Sequence, residues 1–541
     1  MTHDSKTFLV IGLIAALACT ATTKSHGILD YDEDSYHSDV FERHTHMARN
    51  MPSDLAQNKI TPPAEKDSQF WIKNAQRAVK QRAALRLKNK KAKNVIFFLG
   101  DGMSVGTLTA ARILKGQRQG RTGEESVLTM EQFPFAGLSK TYCTNGQTAD
   151  SACSATAYLT GVKTNLLMIG VNGHVTFNNC SLSSNPEYHT ESIAQWAQRA
   201  GKSTGIVTTT TVTHASPSGN YAHVANRNWE SDYDIVKSKA YTHGEPCADI
   251  AKQLVQQEPG KNFDVIMGGG FKKFIPHTQH DVFGVQGERR DGLNLVEEWL
   301  GRNAHGKLVT NLKELQAIDC HETSKLLGLF HSSHMEYNAK AQMNKPLQPR
   351  LKDMTEAAIK MLEKNDQGYY LFIEGGRIDH GHHNTIAGYA LDETLEFDEA
   401  IRRALELTSE EETLIVVTAD HSHTMSMSGY PGRGNPILGL NQYNRDLEGI
   451  PYSVLNYALG PQQYQDENGK RLDLSTQKYD DYLVKPSYIH TKMGAHAGED
   501  VAIFARGPQA HLFSGTMEQN VLPHLMAYAA CIGHGKQFCH E

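Results

Sequence analysis

The chain has 541 residues and a formal charge of −6 at neutral pH, with 54 Lys and Arg against 60 Asp and Glu. No long basic run is present, which argues against nucleic acid as a partner. Apolar residues make up 39% and charged residues 21%, so the chain can bury a substantial core in one large domain or two to three ordinary ones.

Residues 1–23 read as a secretory signal peptide: Lys6 precedes an apolar run over 8–18, and Ala16, Ala18 and Ala21 offer small residues for cleavage. That run is shorter than the ~20 residues a spanning helix needs. No other segment is long enough to span, and the polar stretch 533–541 lacks the hydrophobic tail of a lipid-anchor signal. The expectation is a secreted protein with no membrane span. Removing Cys19 with the signal leaves Cys143, Cys153, Cys180, Cys247, Cys320, Cys531 and Cys539, an odd number for an oxidising compartment. Cys531 and Cys539 are near enough in sequence to staple the C-terminal end. Asn179-Cys180-Ser181 is a glycosylation sequon.

Residues 24–68, rich in Asp, His, Ser and Arg over 30–51, read as a mobile N-terminal arm. Apolar residues at helical spacing over 69–87, with Lys and Arg near the end, predict an amphipathic helix. Residues 94–99 then form a continuous apolar run, as expected of a strand covered on both faces. It ends on Gly100-Asp101-Gly102, and a helical stretch over 105–114 follows. The same order recurs at 205–207, at 263–267, at 369–373 before Glu374, at 413–418 before Asp420-His421-Ser422-His423, and at 501–505. Helical patterns lie over 191–200, 354–364 and 392–407. Strands alternating with helices predict an α/β fold, a three-layer α/β/α sandwich around a mostly parallel sheet. Residues 429–492, rich in Gly, Pro, Asn, Tyr and Asp, break this order and read as a small irregular surface insertion.

Three of these strands place carboxylates just past their C-terminal ends: Asp101, Glu374 and Asp420. In open α/β sheets that edge is where ligands bind. A single carboxylate there is more often a helix cap; three, two of them beside histidines, point to a polynuclear metal site. In Glu374-Gly375-Gly376-Arg377-Ile378-Asp379-His380-Gly381-His382-His383, Asp379 and His383 are four residues apart and share one face of a helix. A carboxylate and an imidazole converging suit a borderline metal such as zinc. Asp150 and Ser151 begin an Ala-rich helical stretch, and backbone N–H groups at such a start suit a phosphate or oxyanion, although an ordinary N-cap is the commoner use of Asp-Ser. Serine is a poor nucleophile without activation; no histidine adjoins Ser151 in sequence, so the inferred metal must supply it. Oxygens such as that of Ser216, in His214-Ala215-Ser216-Pro217, suit magnesium. Arg227 suits two phosphate oxygens, or a surface ion pair.

These stretches, together with Thr418-Ala419-Asp420-His421-Ser422-His423 and His496-Ala497-Gly498-Glu499-Asp500, occur in one order along the chain. They resemble the animal-type alkaline phosphatases from about Trp71 to the final cysteine pair. The resemblance implies hydrolysis of phosphate monoesters to an alcohol and inorganic phosphate through a phosphoserine at Ser151, with Arg227 holding the phosphate. It implies two zinc ions and one magnesium ion. Asp379, His383 and His496 match the ligands of one zinc; Asp101, Asp420, His421 and the Ser151 oxygen match those of the other. Asp101, Ser216 and Glu374 match the magnesium ligands, and His214 and His380 match two neighbouring histidines, while His382 matches no ligand. Many animal members also build a calcium site from acidic side chains, but His331 and Gln348 stand at the matching positions and weaken that expectation. Cys180–Cys247 and Cys531–Cys539 resemble the family's disulfides; Cys143 and Cys153, outside the common pattern, are expected to pair and leave Cys320 free. The resemblance makes 69–541 one catalytic domain, with 429–492 near a homodimer interface that the helix over 69–87 helps to form. Related phosphodiesterases or sulfatase-like hydrolases generally use a threonine or a modified cysteine, which Asp150-Ser151-Ala152 argues against. A non-catalytic binding relic is disfavoured because every ligand position is filled.

Overall fold

The computed structural model describes residues 61–239, 247–345, 347–476 and 480–539; the signal segment and residues 24–60 of the arm lie outside the described residues. Ten strands form the main sheet: β1 (Asn94–Gly100), β2 (Phe135–Lys140), β3 (Ser203–Thr211), β4 (Val265–Gly269), β5 (Lys307–Val309), β6 (Leu326–Leu329), β7 (Tyr369–Gly375), β8 (Thr413–Ala419), β9 (Val501–Arg506) and β10 (Gly515–Glu518). Their spatial order is β10-β2-β9-β8-β1-β7-β3-β4-β6-β5, and β9 alone runs against its neighbours.

The central strands β1, β7 and β8 carry unbroken apolar runs because neither face meets water. Side chains alternate across a strand, so Val95, Phe97 and Leu99 enter one hydrophobic cluster while Ile96 and Phe98 enter another. On the first face Phe97 meets Tyr158 edge-on at 5.6 Å, and on the second Phe98 meets Phe397 at 5.7 Å. Each fully buried ring of this kind contributes about 1.5–3 kcal/mol by leaving water. Two helices cover the second face, whose cluster includes Ile359, Leu362, Phe397 and Ile401; a third helix carries Tyr158 on the first, beside Leu522–Ala530. In chain order the helices used below are α1 (Ser68–Ala83), α2 (Val105–Arg118), α3 (Ser151–Thr160), α4 (Leu351–Leu362), α5 (Arg377–His383) and α6 (Ala387–Leu407). The three-layer α/β/α reading therefore holds.

Register places the site. Gly100 lies opposite both Gly375 and Ala419, so β1, β7 and β8 end flush. Asp101 and Asp420 are the residues immediately past two of those ends, and Glu374 is the penultimate residue of the third. Short connections then start helices there: Ser104 caps α2 by accepting from Thr107 N–H, and Asp150 caps α3.

The sequence reading did not identify β2, β5, β6 or β10. All four lie at or beside the two edges of the sheet; β2, β5 and β10 are partly exposed, which dilutes the apolar signal, and β6 is buried but only four residues long. The stretch 429–492 is more regular than its composition implies. A hairpin joins Leu440–Arg445 to Pro451–Ser453, and Leu455–Gly460 pairs with both Ser487–His490 and Met425–Met427. Its loops are held by polar side chains on backbone, as where Arg471 donates to the carbonyls of Ile450 and Pro451. Pro63–Lys66, within the segment read as arm, forms a short turn whose Glu65 meets the Arg433 guanidinium of the insertion at 3.0 Å. Disulfides join Cys143–Cys153, Cys180–Cys247 and Cys531–Cys539, and Cys320 is free. Among the described residues, no helix is long and apolar enough to cross a membrane.

Candidate active site

Three groups of metal-ligating atoms gather at the C-terminal edge of β1, β7 and β8. The first comprises Asp379, His383, His423 and His496, whose ligand atoms lie within 4.8 Å of one another. Asp379 and His383 project from the same side of α5 with Oδ2 and Nε2 3.3 Å apart. His496 Nε2 lies 3.0 Å from His383 Nε2 and 3.4 Å from Asp379 Oδ1. The outer nitrogens are spoken for: His383 Nδ1 donates to the Gly494 carbonyl at 2.7 Å and His496 Nδ1 to the Ala149 carbonyl at 2.8 Å. With Nδ1 committed, each ring in its neutral form turns its Nε2 lone pair towards the other and towards a carboxylate, an arrangement that a cation relieves. Burial alone raises the Asp379 carboxyl, but the surrounding His383, His423 and His496 bring it well below its ordinary range. It is anionic, as a ligand must be.

Asp101, Asp420 and His421 make up the second group, all fully buried. His421 Nε2 lies 3.1 Å from Asp420 Oδ2 and 3.5 Å from Asp101 Oδ1, and neither of those oxygens has a hydrogen-bond partner. The same nitrogen lies 3.2 Å from Ser151 Oγ. Adjacency in sequence gave Ser151 no histidine, but the fold delivers one from 270 residues away. The third group shares Asp101 and adds Glu374 and His214. Ser216 Oγ donates to Asp101 Oδ2 at 3.3 Å, Thr208 Oγ1 donates to Glu374 Oε2 at 2.5 Å, and Glu374 Oε1 is buried without a partner. Burial, with Asp420 adding to it, lifts the Glu374 carboxyl to about 7; burial and the charges of Asp420, Asp379 and Glu374 push Asp101 well up. Buried carboxylates this close cannot all stay ionised without added positive charge. Oxygen-rich and imidazole-rich donor sets with orphaned lone pairs fit bound divalent cations, and the first group, with three histidines, is the more nitrogenous of the three.

Ser151 opens α3, and Asp150 holds that helix start by accepting from the N–H groups of Ala152 and Cys153. The other role of Asp150 is tertiary: it accepts from Arg227 Nη1 at 3.0 Å and from Leu167 N–H at 2.9 Å. Arg227 Nη2 also donates to His214 Nε2 at 3.1 Å. The arginine is thus pinned on two sides near Asp101, which contributes to its raised pKa. His380 stacks edge-on to His214 at 5.6 Å and accepts from Arg377 at Nδ1 at 2.7 Å.

His382 joins none of these groups. Its Nε2 meets Thr107 Oγ1 at 2.9 Å and its Nδ1 meets Tyr457 OH at 2.8 Å, so both nitrogens are committed. Sequence reasoning assigned no role to His423, whose Nε2 contacts Asp379 Oδ1 at 2.5 Å. The period of two in His421-Ser422-His423 puts both histidines on one side of an extended segment, and that signal was available. His334, which accepts from Thr211 N–H and lies 4.6 Å from the His380 ring, left no such signal.

Two other clusters do not hold a metal. Asp232, Asp249 and Asp291 surround the buried Arg289, which gives two hydrogen bonds to Asp249 at 2.9 and 3.0 Å. Cys143 and Cys153, beside Asp150, are bonded to each other. At the positions matched to a calcium site, Lys345 Nζ donates to His331 Nε2 at 3.1 Å, and the Gln348 amide pairs with the backbone of Glu336 at 3.0 and 3.2 Å. An ammonium and an amide already paired to backbone do not fit calcium.

A parallel α/β/α sheet with clustered carboxylates, imidazoles and a helix-start serine at its C-terminal edge defines a metal-dependent hydrolase. The family model for alkaline phosphatase matches residues 92–532. The chain is 45% identical over 486 residues to the membrane-bound alkaline phosphatase of Bombyx mori, covering 88% of each chain. It is 47% identical over 485 residues to the alkaline phosphatase of Gadus morhua, covering 88% of this chain and 99% of that one. The human tissue-nonspecific isozyme is 45% identical over 493 residues, 89% of this chain and 92% of the other. In fold the chain resembles the alkaline phosphatase of Thermus thermophilus, with a TM-score of 0.59 at 22% identity over 82% of this chain and 92% of that one. The chain belongs to the alkaline phosphatase family and is of its animal type, an enzyme that hydrolyses phosphate monoesters.

Proposed function

We propose that turnover runs through a phosphoserine at Ser151, in a site that holds two zinc ions and one magnesium ion. Asp379, His383 and His496 would hold one Zn2+; Asp101, Asp420, His421 and Ser151 Oγ the other; and Asp101, Ser216 and Glu374 the Mg2+. One observation carries the reading: four buried carboxylates and the imidazoles of His383, His421 and His496 gather in three groups at one sheet edge, and His421 of the second group lies 3.2 Å from the Ser151 hydroxyl. Bound there, such ions act as Lewis acids that lower the pKa of a hydroxyl or water and neutralise charge on the transferring phosphoryl group.

The chain's own groups do the rest. Ser151 Oγ attacks phosphorus, the bond to the leaving alcohol oxygen breaks, and the alcohol departs. Water then attacks the phosphoserine, which releases inorganic phosphate and restores Ser151. Arg227, held by Asp150 and His214, presents its planar guanidinium to the phosphoryl oxygens, because this chemistry depends chiefly on positioning and charge. His423 orients the Asp379 carboxylate. Metal analysis of the purified protein beside hydrolysis of a chromogenic phosphate monoester and diester tests the whole reading. Zinc and magnesium at two to one with the monoester strongly preferred is the expected result; a metal-free active protein, or a preferred diester, refutes it.

The same reading extends to the whole chain as a secreted homodimer, with 1–23 removed, 24–68 an arm, 69–541 the catalytic domain and 429–492 near the dimer contact. Helix α1 supports the dimer because it buries none of its residues, leaving Trp71 53% and Val79 64% exposed. Light scattering of the protein recovered from culture medium should give twice the chain mass, with an N-terminus past residue 18. A stable monomer, or an intact N-terminus, rules out the corresponding part.

A further inference from the structure

The disulfide Cys143–Cys153 joins residues 10 apart in sequence and closes a segment that ends in the first turn of α3. Inside that segment lie three groups that the site uses. Ala149 offers the carbonyl that accepts the hydrogen bond from His496 Nδ1–H. Asp150 holds Arg227 and the start of α3. Ser151 is the nucleophile in the reading above. Of its residues only Ala152, already inside α3, enters a main core. Cys143, Ala149 and Cys153 form a small cluster of their own with Leu166, apart from both main cores. Its loop part is tied by hydrogen bonds to the strip 164–167, among them Thr144 N–H to the Thr164 carbonyl and Leu166 N–H to Asn145 Oδ1. A segment with so few apolar contacts opens locally at low cost. A covalent link across it removes the conformations in which the Ala149 carbonyl and the Asp150 carboxylate stray.

We propose that the Cys143–Cys153 disulfide is a positioning element of the active site, holding the Ala149 carbonyl and the Asp150 carboxylate, and through them His496 and Arg227, against Ser151. The proposal rests on the roles given to Ser151 and Arg227. Misplacement of catalytic groups by about 1 Å costs on the order of 100-fold. The holoenzyme of Cys143→Ala/Cys153→Ala should therefore lose about 10- to 100-fold in kcat/KM. Its inhibition constant for inorganic phosphate should rise in parallel, and its zinc should pass faster to a chromogenic chelator. A folded double variant with kcat/KM, phosphate inhibition and zinc release all within twofold of the parent overturns the proposal.

If that variant does not fold, graded reduction of the native protein decides. A water-soluble phosphine cleaves the S–S bond to two thiols and is itself oxidised to phosphine oxide with an oxygen from water. After alkylation and peptide mapping, activity should fall in step with labelling of Cys143 and Cys153. Full labelling of that pair with activity intact, or loss that follows Cys180 and Cys247 or Cys531 and Cys539, overturns it. Ser151→Ala run in parallel separates the two readings: its unimpaired turnover would refute the nucleophile on which the proposal rests, whereas its loss beside an unaffected double variant refutes the clamp alone.

Discussion

Ser151→Ala will abolish turnover of phosphate monoesters, by a factor on the order of 10⁴ or more in kcat, while zinc and magnesium contents stay at parental levels. The size follows from the role: without the hydroxyl no phosphoserine forms, and only direct attack by water remains. Metal content should persist because Ser151 would supply one oxygen, whereas Asp101, Asp420 and His421 are set by the ends of β1 and β8 and do not depend on it. Helix α3 should also persist, since its cap is Asp150 and not Ser151. Two measurements check this: steady-state hydrolysis of a chromogenic ester, and acid-quenched labelling with radioactive phosphate. Turnover near the parental rate, or label recovered on another residue, would dismiss the mechanism.

Asp379→Asn should produce the second large loss. Asparagine keeps the shape but removes the negative charge that sits within 3.4 Å of His383, His423 and His496. The variant should bind zinc far less tightly and fall by about 10³-fold or more in activity at trace zinc, with partial recovery as zinc is added. Stripping the parent protein with a chelator should inactivate it likewise, and added zinc should restore it. The stripped protein should also melt at a lower temperature, because an ion bound only by the folded state stabilises that state by mass action. Here it would offset the repulsion among Asp101, Glu374 and Asp420. Unchanged activity and melting temperature after verified metal removal would contradict the metal reading.

Legibility followed burial. β1, β7 and β8 could be read because each is covered on both faces and so carries an unbroken apolar run, while β2 and β10, partly exposed and at one edge of the sheet, were missed. Helix α6 was expected from 392 but starts at Ala387, since Ala-Gly-Tyr carries little periodic signal before the apolar stripe begins. Asp379 and His383 were legible as a pair because one helical turn separates them. His423 was missed, although the two-residue period marked it.

Other relations lay beyond any local pattern. Thr107 and Tyr457 occupy both nitrogens of His382, which adjacency to His383 would have made a ligand. His421 reaches Ser151, the Ala149 carbonyl fixes the tautomer of His496, and Asp150 holds Arg227, each across 77 or more residues. The sequence by itself determined the fold class, because strand burial and helix phase are local properties written in neighbouring residues, and the order of its motifs carried the resemblance to the family. Which nitrogen faces inward, which carboxylate is left unpaired and what braces the nucleophile were decided by tertiary structure alone. Hydrogen bonds and charges act over a few ångströms of space, and only the folded chain brings those distant residues that close.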